Sequence, residues 1–426
     1  MSETVELAVS RLGASGDGVG ACADGQACYV AGALPGESIT ARFTGHRGDA
    51  MVADLITVHT PSADRVTPPC PHVADLCGGC AVQHLSIPAG LEWKRDRLAE
   101  ALSRAGATPE IAIAPPTLPG TRRRADLALL RRADGSVAVG LHARGSQAVV
   151  DLSTCLVLDP RLVALFEPLR AMLKRLSALR RAGSAIVNLL DTGPDLLLRT
   201  DGPLDAPGRG LIAAFANEHA IPRIAWAMGN APPEMAAQTG TVGLSLSGAM
   251  LAPAPGAFLQ ASPGAEAAII AAVLAGLPRK LTGKSRIADL YAGVGTLSLP
   301  LATRASIAAY EGDAEAVATL AAAAGRAGAR IAAVKRDLAR QPLLPAEIDR
   351  FVAVVLDPPF AGAAEQCAML ARSKGRCVIY VSCNPTALAR DAKILLQGGF
   401  RITAATLVDQ FLWSSQVESV LVFSRA

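Results

Sequence analysis

A cysteine and a glutamate near the C-terminus have the surroundings of catalytic side chains. Cys383 follows an apolar segment within Ser382-Cys383-Asn384-Pro385, and Glu418 is a lone acid in the apolar segment 417–423. Carbon 5 of a uracil ring is too weak a nucleophile to take a methyl group from a sulfonium unless a thiolate first adds to carbon 6. A base must then remove the proton on carbon 5. The two residues suit that chemistry, with Cys383 as nucleophile and Glu418 as general base.

A second motif, Asp357-Pro358-Pro359-Phe360, leaves other reactions open. A motif of this type also marks methyltransferases that modify exocyclic amino groups of adenine or guanine. In that chemistry the substrate nitrogen is itself the nucleophile, so no enzyme thiol is required. Besides uracil methylation, the residues therefore allow an amino-group RNA methyltransferase and a non-catalytic RNA-binding factor that keeps the same fold.

Acidic residues and glycines at predicted strand ends indicate a cofactor pocket. In Asp289-Leu290-Tyr291-Ala292-Gly293-Val294-Gly295-Thr296 a strand with an acid near its end leads into a Gly-x-Gly turn, which lets a cofactor approach the backbone. Glu311 ends the next strand, where an acid typically holds ribose hydroxyls. Asp337 follows the third strand, where an adenine-facing residue would lie. This order of acids is similar to that of class I methyltransferases, which bind S-adenosylmethionine.

The elements that position these residues alternate between strand and helix from about residue 286 onward. Strands are predicted at 287–290, 307–310, 331–335, 351–356, 378–382 and 417–423. Such alternation is typical of a doubly wound α/β sheet that binds its ligands at the carboxyl ends of the strands. We therefore predict a Rossmann-like catalytic domain over residues 256–426.

Two further regions precede this domain. Residues 1–57 are rich in glycine and carry short strand patterns, which predict a five-stranded barrel of the oligonucleotide-binding type. Its segments 16–20 (Gly-Asp-Gly-Val-Gly) and 33–37 (Ala-Leu-Pro-Gly-Glu) resemble the TRAM domain, an RNA-binding module. Residues 58–255 mix strand patterns with arginine clusters and include a predicted helix at about 89–105.

Composition favours a cytoplasmic protein, and the charge distribution allows either an RNA-binding surface or scattered, solvated arginines. The chain carries a net charge of +4, but segment 94–209 has 18 Lys and Arg against 12 Asp and Glu, a local +6. Six arginines of that segment are candidates for RNA phosphate contacts: Arg122, Arg123, Arg124, Arg131, Arg132 and Arg144. The sequence has neither a signal-peptide pattern nor an uncharged apolar run long enough for a membrane span, and we expect a monomer.

Four cysteines form a separate constellation. Cys70, Cys77 and Cys80 are clustered, and Cys155 lies far downstream. Three clustered thiols and a distant fourth can hold a zinc ion or an iron–sulfur cluster, and the spacing does not separate the two. The total of nine cysteines is odd, which argues against a disulfide framework and for a reducing compartment.

The motifs, taken in order, resemble the RNA uracil-5 methyltransferase family over nearly the whole chain. The resemblance is carried by Phe258-Leu259-Gln260, Asp357-Pro358-Pro359, Ser382-Cys383-Asn384-Pro385 and Val417-Glu418-Ser419-Val420. It implies that Cys383 is the nucleophile and Glu418 the base. Together with the strand-end motif, it gives the S-adenosylmethionine contacts as Gln260, Asp289, Tyr291, Gly293, Gly295, Thr296, Glu311, Asp337 and Asp357.

The resemblance has further implications outside the catalytic motif. Family members with an N-terminal TRAM domain carry a [4Fe-4S] cluster, which here implies the ligands Cys70, Cys77, Cys80 and Cys155. Members that act on transfer RNA usually lack both features, so a uridine of 23S ribosomal RNA is the implied substrate, with a tRNA uridine as the alternative. The helix at 89–105 is expected to pack on the catalytic domain. Phe360 and Ser262 depart from the family pattern, since many members have a basic residue and an asparagine there.

Overall fold

The computed structural model describes residues 4–425, and the chain begins with a closed five-stranded barrel, as predicted. The strands are β1 Thr4–Leu12, β2 Gly18–Ala21, β3 Ala27–Ala31, β4 Ser38–Arg47 and β5 Ala50–Thr60, in the order β1-β2-β3-β5-β4. The sequence patterns did not predict β2, because glycines replace apolar residues there. A Cβ at Gly18 would lie 2.7 Å from the Ala33 carbonyl oxygen. β5 continues to Thr60, past the expected boundary at residue 57.

The segment after the barrel contributes to the catalytic domain. Helix α1, Ile87–Ala105, begins where the Ser86 side chain accepts the Ala89 N–H, and it ends at Gly106, whose φ is 97°. Leu98 and Leu102 of α1 are fully buried in the same hydrophobic core as residues of the C-terminal sheet. The short strand β6, Ile111–Ile113, joins the edge of that sheet. Residues 87–113 thus pack with the catalytic domain although they precede the central region.

The central region is a seven-stranded sheet covered on one face by helices. Its strands are β7 Arg124–Arg131, β8 Val137–His142, β9 Val149–Asp151, β10 Ala182–Leu190, β11 Gly193–Thr200, β12 Arg223–Met228 and β13 Glu234–Gln238. The helices are α2 Pro160–Val163, α3 Phe166–Arg175 and α4 Ala206–Glu218. Leu169 and Leu173 of α3 and Ile212 of α4 are buried against the sheet in one core. A hairpin of β14 Leu244–Leu246 and β15 Ala249–Leu251 then leads to the catalytic domain.

The catalytic domain is an eight-stranded sheet with helices on both faces. After α5 Pro263–Ala275, its elements are β16 Arg286–Leu290, α6 Ser298–Ala302, β17 Ser306–Glu311, α7 Ala314–Ala327, β18 Ile331–Lys335, α8 Pro345–Ile348, β19 Ala353–Leu356, α9 Ala364–Arg372, β20 Cys377–Ser382, α10 Pro385–Gln397, β21 Arg401–Val408 and β22 Glu418–Ser424. The strand order is β18-β17-β16-β19-β20-β22-β21-β6. Strands β16 to β20 are parallel, and β22 is antiparallel to both of its neighbours. The predicted Rossmann-like sheet is therefore present.

The central parallel strands β19 and β20 are almost entirely apolar, because helices cover both faces of the sheet there. Every residue of β19 and β20 is buried, including Val354 and Tyr380. The carboxyl ends of these strands meet at one edge, where the chain turns into polar loops. Within residues 4–425, no helix is long and apolar enough to cross a membrane.

Candidate active site

The carboxyl ends of the parallel strands open into a cavity of about 810 Å³. Loop 254–261 closes one side of the cavity, and the segment between β21 and β22 closes another. Nine of the eleven residues predicted for the catalytic domain lie on its wall: Gln260, Asp289, Tyr291, Gly293, Thr296, Glu311, Asp357, Cys383 and Glu418. The fold thus brings the predicted cofactor residues and both predicted catalytic residues to one cavity.

Asp289 is the most deeply buried acid of the cavity. One of its carboxylate oxygens accepts a hydrogen bond of 2.5 Å from the Ser298 hydroxyl, and the other, Oδ1, has no partner among the described residues. Burial raises the pKa of Asp289 to about 7, with further contributions from Asp357 and Glu311, while the Ser298 hydrogen bond acts in the opposite direction. An unpartnered buried carboxylate oxygen is costly, so the position suits an acid whose partner is a bound ligand.

The turn after β16 is shaped by positive φ angles and by Glu311. Tyr291 has a φ of 61° and Gly293 a φ of 54°, and the Gly293 N–H donates to Glu311 Oε2 at 2.8 Å. The other Glu311 oxygen accepts the Asp313 N–H at 2.8 Å. These bonds fix the carboxylate beside the turn at the cavity wall. A ligand with hydroxyl groups would meet a carboxylate that is already oriented.

Two predicted cofactor residues lie away from the cavity. Gly295 has a φ of 100°, and a Cβ there would come 2.4 Å from Leu320 Cδ1, so this glycine allows the turn to pack against α7. Asp337 is half-exposed, accepts the Ala339 N–H at 3.1 Å and lies 3.5 Å from Arg340 Nε. These contacts engage its carboxylate in the turn after β18, and its contact with the cofactor stays a prediction.

The strand register places the two predicted catalytic residues side by side. Ser382 of β20 is paired with Ser419 of antiparallel β22. The residue after Ser382 therefore lies opposite the residue before Ser419, and these are Cys383 and Glu418. Both side chains line the cavity. The lone acid in an apolar strand and the cysteine after a neighbouring strand thus form one constellation.

The electrostatics of this pair disfavour negative charge. Burial, with smaller contributions from Glu418 and Asp357, raises the pKa of the Cys383 thiol to about 11. Burial and the nearby Asp357 also hold the pKa of Glu418 well above its ordinary value, against hydrogen bonds from Gln410 and the Ser419 N–H. Burial raises the pKa of Asp357 itself to about 6, and its hydrogen bond from Gln260 opposes that shift. A cation bound in this cavity would lower all three pKa values, because it favours each charged form.

Arg123 does not have the role expected from the arginine cluster. It is buried, and its guanidinium lies 2.5 Å from Glu266 of α5 and donates to the Gln260 carbonyl oxygen. Its backbone N–H donates to the Ala261 carbonyl oxygen at 2.8 Å. The prediction of a phosphate contact is wrong for Arg123, which instead clamps the central sheet to the loop that carries Gln260.

The other predicted arginines differ in their surroundings. Arg132 lies 3.5 Å from Asp151 and Arg144 lies 3.5 Å from Asp17. The Arg131 guanidinium donates to five backbone carbonyl oxygens, including those of Leu173 and Leu179, so it holds the central domain together and is not free for RNA. Arg122 and Arg124 line the large cavity, and Arg124 lies over the exposed Phe258 ring at 5.5 Å. These two arginines thus lie on the wall of the same cavity as Cys383 and Glu418.

Ser262 and Phe360, the two residues that depart from the family pattern, have different surroundings in the structure. Ser262 is buried and is the N-cap of α5, where its hydroxyl accepts the Ala265 N–H at 3.2 Å. Phe360 lies at the cavity, with 58% of its surface exposed. Its carbonyl oxygen accepts the Asn384 side-chain N–H at 2.8 Å, which ties the loop after β19 to the segment that carries Cys383.

The four clustered cysteines are brought together in a second cavity of about 210 Å³. All four are free thiols that line it: Cys70, Cys77, Cys80 and Cys155. Burial raises the pKa of the Cys80 thiol to about 12, and the three other thiols add to the shift, which places them near one another. Within residues 4–425, no group of three or more His, Cys, Asp or Glu side chains is arranged to hold a metal ion. The four thiols thus line one cavity, but they are not arranged around a common point as the ligands of a metal ion would be.

Comparisons with known proteins agree with this geometry. Residues 266–426 match the family model described as tRNA (Uracil-5-)-methyltransferase. An uncharacterized RNA methyltransferase of Caulobacter vibrioides is 38% identical over 99% of this chain and 100% of its own length. The 23S rRNA (uracil(1939)-C(5))-methyltransferase RlmD of Chromohalobacter salexigens is 37% identical over 98% of this chain and 89% of its own. The chain belongs to the RNA uracil-5 methyltransferase family.

A solved structure shows the same fold as this RNA uracil-5 methyltransferase. The Pyrococcus abyssi tRNA (uracil-54, C5)-methyltransferase, in complex with S-adenosyl-L-homocysteine, superimposes with a TM-score of 0.75. The match covers 98% of this chain and 99% of the other at 22% identity. This likeness shows the fold, and the relatives confirm the family membership expected from the motifs.

The sequence patterns did not predict one polar residue of the cavity, Gln410. Gln410 lies in the loop between β21 and β22, is buried, and donates to Glu418 Oε2 at 2.9 Å. The sequence gives no signal for it, since the segment 409–417 has neither the period of a helix nor that of a strand. Only the fold shows that the loop returns to the cavity.

Proposed function

We propose that this enzyme transfers a methyl group from S-adenosylmethionine to carbon 5 of a uridine in 23S ribosomal RNA, through a covalent bond from Cys383 to carbon 6. The observation that carries the proposal is the placement of Cys383 opposite Glu418, on the cavity that Asp289 and Glu311 also line. An amino-group methyltransferase needs no thiol at this point.

The cavity wall suits the methyl donor. Asp289 has a buried carboxylate oxygen without a partner, and Glu311 presents an oriented carboxylate beside the glycine turn. We propose that these acids, with Gln260, Tyr291, Gly293, Thr296 and Asp357, hold S-adenosylmethionine. When bound, it supplies the electrophilic methyl group and a positive charge beside the acids. That charge would favour the Cys383 thiolate, whose pKa burial otherwise raises.

The enzyme's residues then act on the uracil ring in sequence. The Cys383 thiolate forms a bond to carbon 6, and the electron pair of the 5,6 double bond moves into the enolate, so that carbon 5 becomes the nucleophile. After carbon 5 is methylated, Glu418 takes its proton. The electron pair left on carbon 5 restores the double bond as the bond between carbon 6 and sulfur breaks. Cys383 leaves as a thiolate, and the proton remains on Glu418 until solvent removes it.

Relatives and charge support 23S ribosomal RNA as the substrate. A relative 37% identical is named for uracil 1939 of 23S rRNA. We propose that the barrel of residues 1–57 and the central domain of residues 58–255 bind the RNA, while residues 256–426 carry the chemistry. Arg122 and Arg124, on the cavity wall, would meet phosphates near the target base. We further propose that the enzyme works as a cytoplasmic monomer, since one chain supplies the whole cavity.

We propose that the four cysteines hold a [4Fe-4S] cluster with a structural role. Four free thiols around one cavity are a soft donor set that suits iron–sulfur or zinc better than a hard cation. The segment after Cys80 contacts the loop of residues 409–417, between β21 and β22, which we call the catalytic loop. The N–H groups of Ala81 and Val82 both donate to the Trp413 carbonyl oxygen in this loop, at 2.8 and 3.0 Å. An ordered cysteine loop would therefore hold the loop of residues 409–417 in place.

A covalent trap tests the reaction. RNA with 5-fluorouridine at the target should be methylated and then remain bound to the wild-type enzyme, because fluorine cannot leave as a cation. Denaturing electrophoresis should show a slow RNA–protein band that Cys383→Ala lacks. Glu418→Gln should accumulate an adduct with ordinary uridine, because only proton removal is blocked.

Other outcomes of this experiment would contradict the proposal. Methyl label recovered in adenine or guanine would point to an amino-group methyltransferase, and absence of label would point to a non-catalytic factor. Sequencing RNA from a deletion strain decides the substrate. Loss of 5-methyluridine from 23S rRNA supports the proposal, and loss from tRNA overturns it.

A further inference from the structure

We propose that Gln410 is a positioning residue that directs one oxygen of Glu418, Oε1, toward the proton on carbon 5. This proposal rests on the proposed function, in which Glu418 is the base. Gln410 lies in the catalytic loop between β21 and β22, and its side chain is buried.

The Gln410 amide joins the cofactor loop to the base. Its Oε1 accepts the Ala261 N–H at 3.0 Å, and its Nε2 donates to Glu418 Oε2 at 2.9 Å. A backbone N–H can only donate, so the amide oxygen must face Ala261 and the amide nitrogen must face the carboxylate. The orientation of the Gln410 side chain is therefore determined by its two partners.

This contact distinguishes the two oxygens of Glu418. Oε2 receives the Gln410 hydrogen bond, whereas Oε1 is buried and has no partner among the described residues. Glu418 lines the cavity, so Oε1 is the oxygen left to accept a proton from the substrate. A carboxylate held by one oxygen cannot swing away from the ring when the substrate binds.

The groups on either side of Gln410, its partner Ala261 and the preceding residue Asp409, are held by contacts of their own. Ala261 follows Gln260, which donates to Asp357 at 3.2 Å, and the Ala261 carbonyl oxygen is held by the Arg123 N–H. The preceding Asp409 is paired in a buried contact of 2.6 Å with Lys94 of α1. Gln410 thus transmits the position of the cofactor loop to the base.

Gln410 also opposes the forces that keep Glu418 protonated. Burial and Asp357, which follows β19, raise the pKa of Glu418. Cys383, which follows β20, also faces it and is coupled to its charge. The Gln410 N–H and the Ser419 N–H donate to the carboxylate and lower its pKa. Removing the amide should raise the pKa of Glu418, so the acidic limb of the rate profile should move to higher pH.

The test uses Gln410→Met, which keeps the length of the side chain and removes the amide. We expect kcat to fall roughly tenfold to a hundredfold, as for a misplaced general base, with KM values for RNA and S-adenosylmethionine nearly unchanged. The acidic limb of kcat against pH should shift upward, and the covalent adduct should accumulate with ordinary uridine. Gln366→Met is the matched control, since Gln366 is a buried glutamine that bonds only the Leu343 backbone.

The outcomes separate this inference from the proposed function. If wild-type enzyme forms the 5-fluorouridine adduct but Gln410→Met keeps the wild-type pH profile and accumulates no adduct, Gln410 has a packing role only, and the inference is wrong. If wild-type enzyme forms no adduct, the proposed function and this inference fail together. A pH shift of equal size in Gln366→Met would also overturn the inference.

Discussion

Replacing Asp289 by asparagine should stabilise the unliganded enzyme and weaken binding of S-adenosylmethionine. Burial raises the pKa of Asp289 from 3.8 to about 7. This difference in pKa between the unfolded and folded states corresponds to a penalty of roughly 4 kcal/mol on the folded state once the carboxylate is ionised. The asparagine carries no charge but leaves one amide group without a partner, at a cost of roughly 1 kcal/mol. We expect a gain of about 3 kcal/mol in the free energy of unfolding at pH 8.

The sign of the pH dependence follows from the raised pKa. The folded state binds the Asp289 proton more tightly than the unfolded state, so this group makes the wild type less stable as the pH rises from about 4 to about 7. The advantage of Asp289→Asn should therefore shrink when urea unfolding is measured at pH 5 instead of pH 8. Calorimetric titration with S-adenosylmethionine should show affinity weakened roughly tenfold to a hundredfold, the value of a lost charge-assisted hydrogen bond.

Asp337→Asn is the control, because Asp337 also follows a strand of the sheet but is half-exposed and lies off the cavity. It should leave both the stability and the cofactor affinity unchanged. If Asp289→Asn binds S-adenosylmethionine as the wild type does, Asp289 does not face the cofactor. If the stability of Asp289→Asn at pH 8 falls below that of the wild type, burial does not penalise the ionised Asp289 carboxylate as we infer.

Three further predictions concern the cysteines and the arginines. Anaerobically purified enzyme should hold about four irons and four sulfides per chain, and Cys155→Ala should lower both sharply, whereas one zinc and no iron would contradict the cluster. Arg122→Ala and Arg124→Ala should each weaken RNA binding and reduce its salt dependence by about one ion, while Arg131→Ala should leave the salt slope unchanged and destabilise the fold. Arg123→Met should lower the free energy of unfolding by about 3 to 5 kcal/mol, because it leaves Glu266 buried without its partner. The double variant Arg123→Met, Glu266→Met should recover part of that loss. If it recovers none, the two residues do not act as a pair.

The sequence by itself predicted the catalytic domain and nine of the residues on the cavity wall. Parallel strands buried on both faces are mainly apolar, so runs such as 353–356 and 378–381 stand out from their surroundings. The polar residues that end those runs must then meet at one edge of the sheet. Cys383 and Glu418 were predicted because each is polar beside an apolar strand, in an order that resembles a known family.

Other site features depend on how loops turn after the strands. Asp337 satisfied the sequence pattern, yet its carboxylate contacts the turn after β18 and is not part of the cavity wall, so its contact with the cofactor stays a prediction. Gln410 satisfied no pattern, because its role comes from partners 149 and 8 residues away in the chain. Local periodicity carries no information about such distant partners.

The arginines show the same distinction between what the sequence predicted and what depends on tertiary structure. The cluster predicted positive charge in the central region, but it did not distinguish a clamp such as Arg123 from a cavity residue such as Arg124. That distinction depends on whether a buried acid or carbonyl lies within reach once the domains have packed. Composition and motif order determined the chemistry and the type of fold. Only the tertiary structure decided which charges are paired inside the protein, because a buried charge is costly unless a partner lies within reach in the fold. The buried Asp289, whose Oδ1 has no partner among the described residues, therefore suits a ligand.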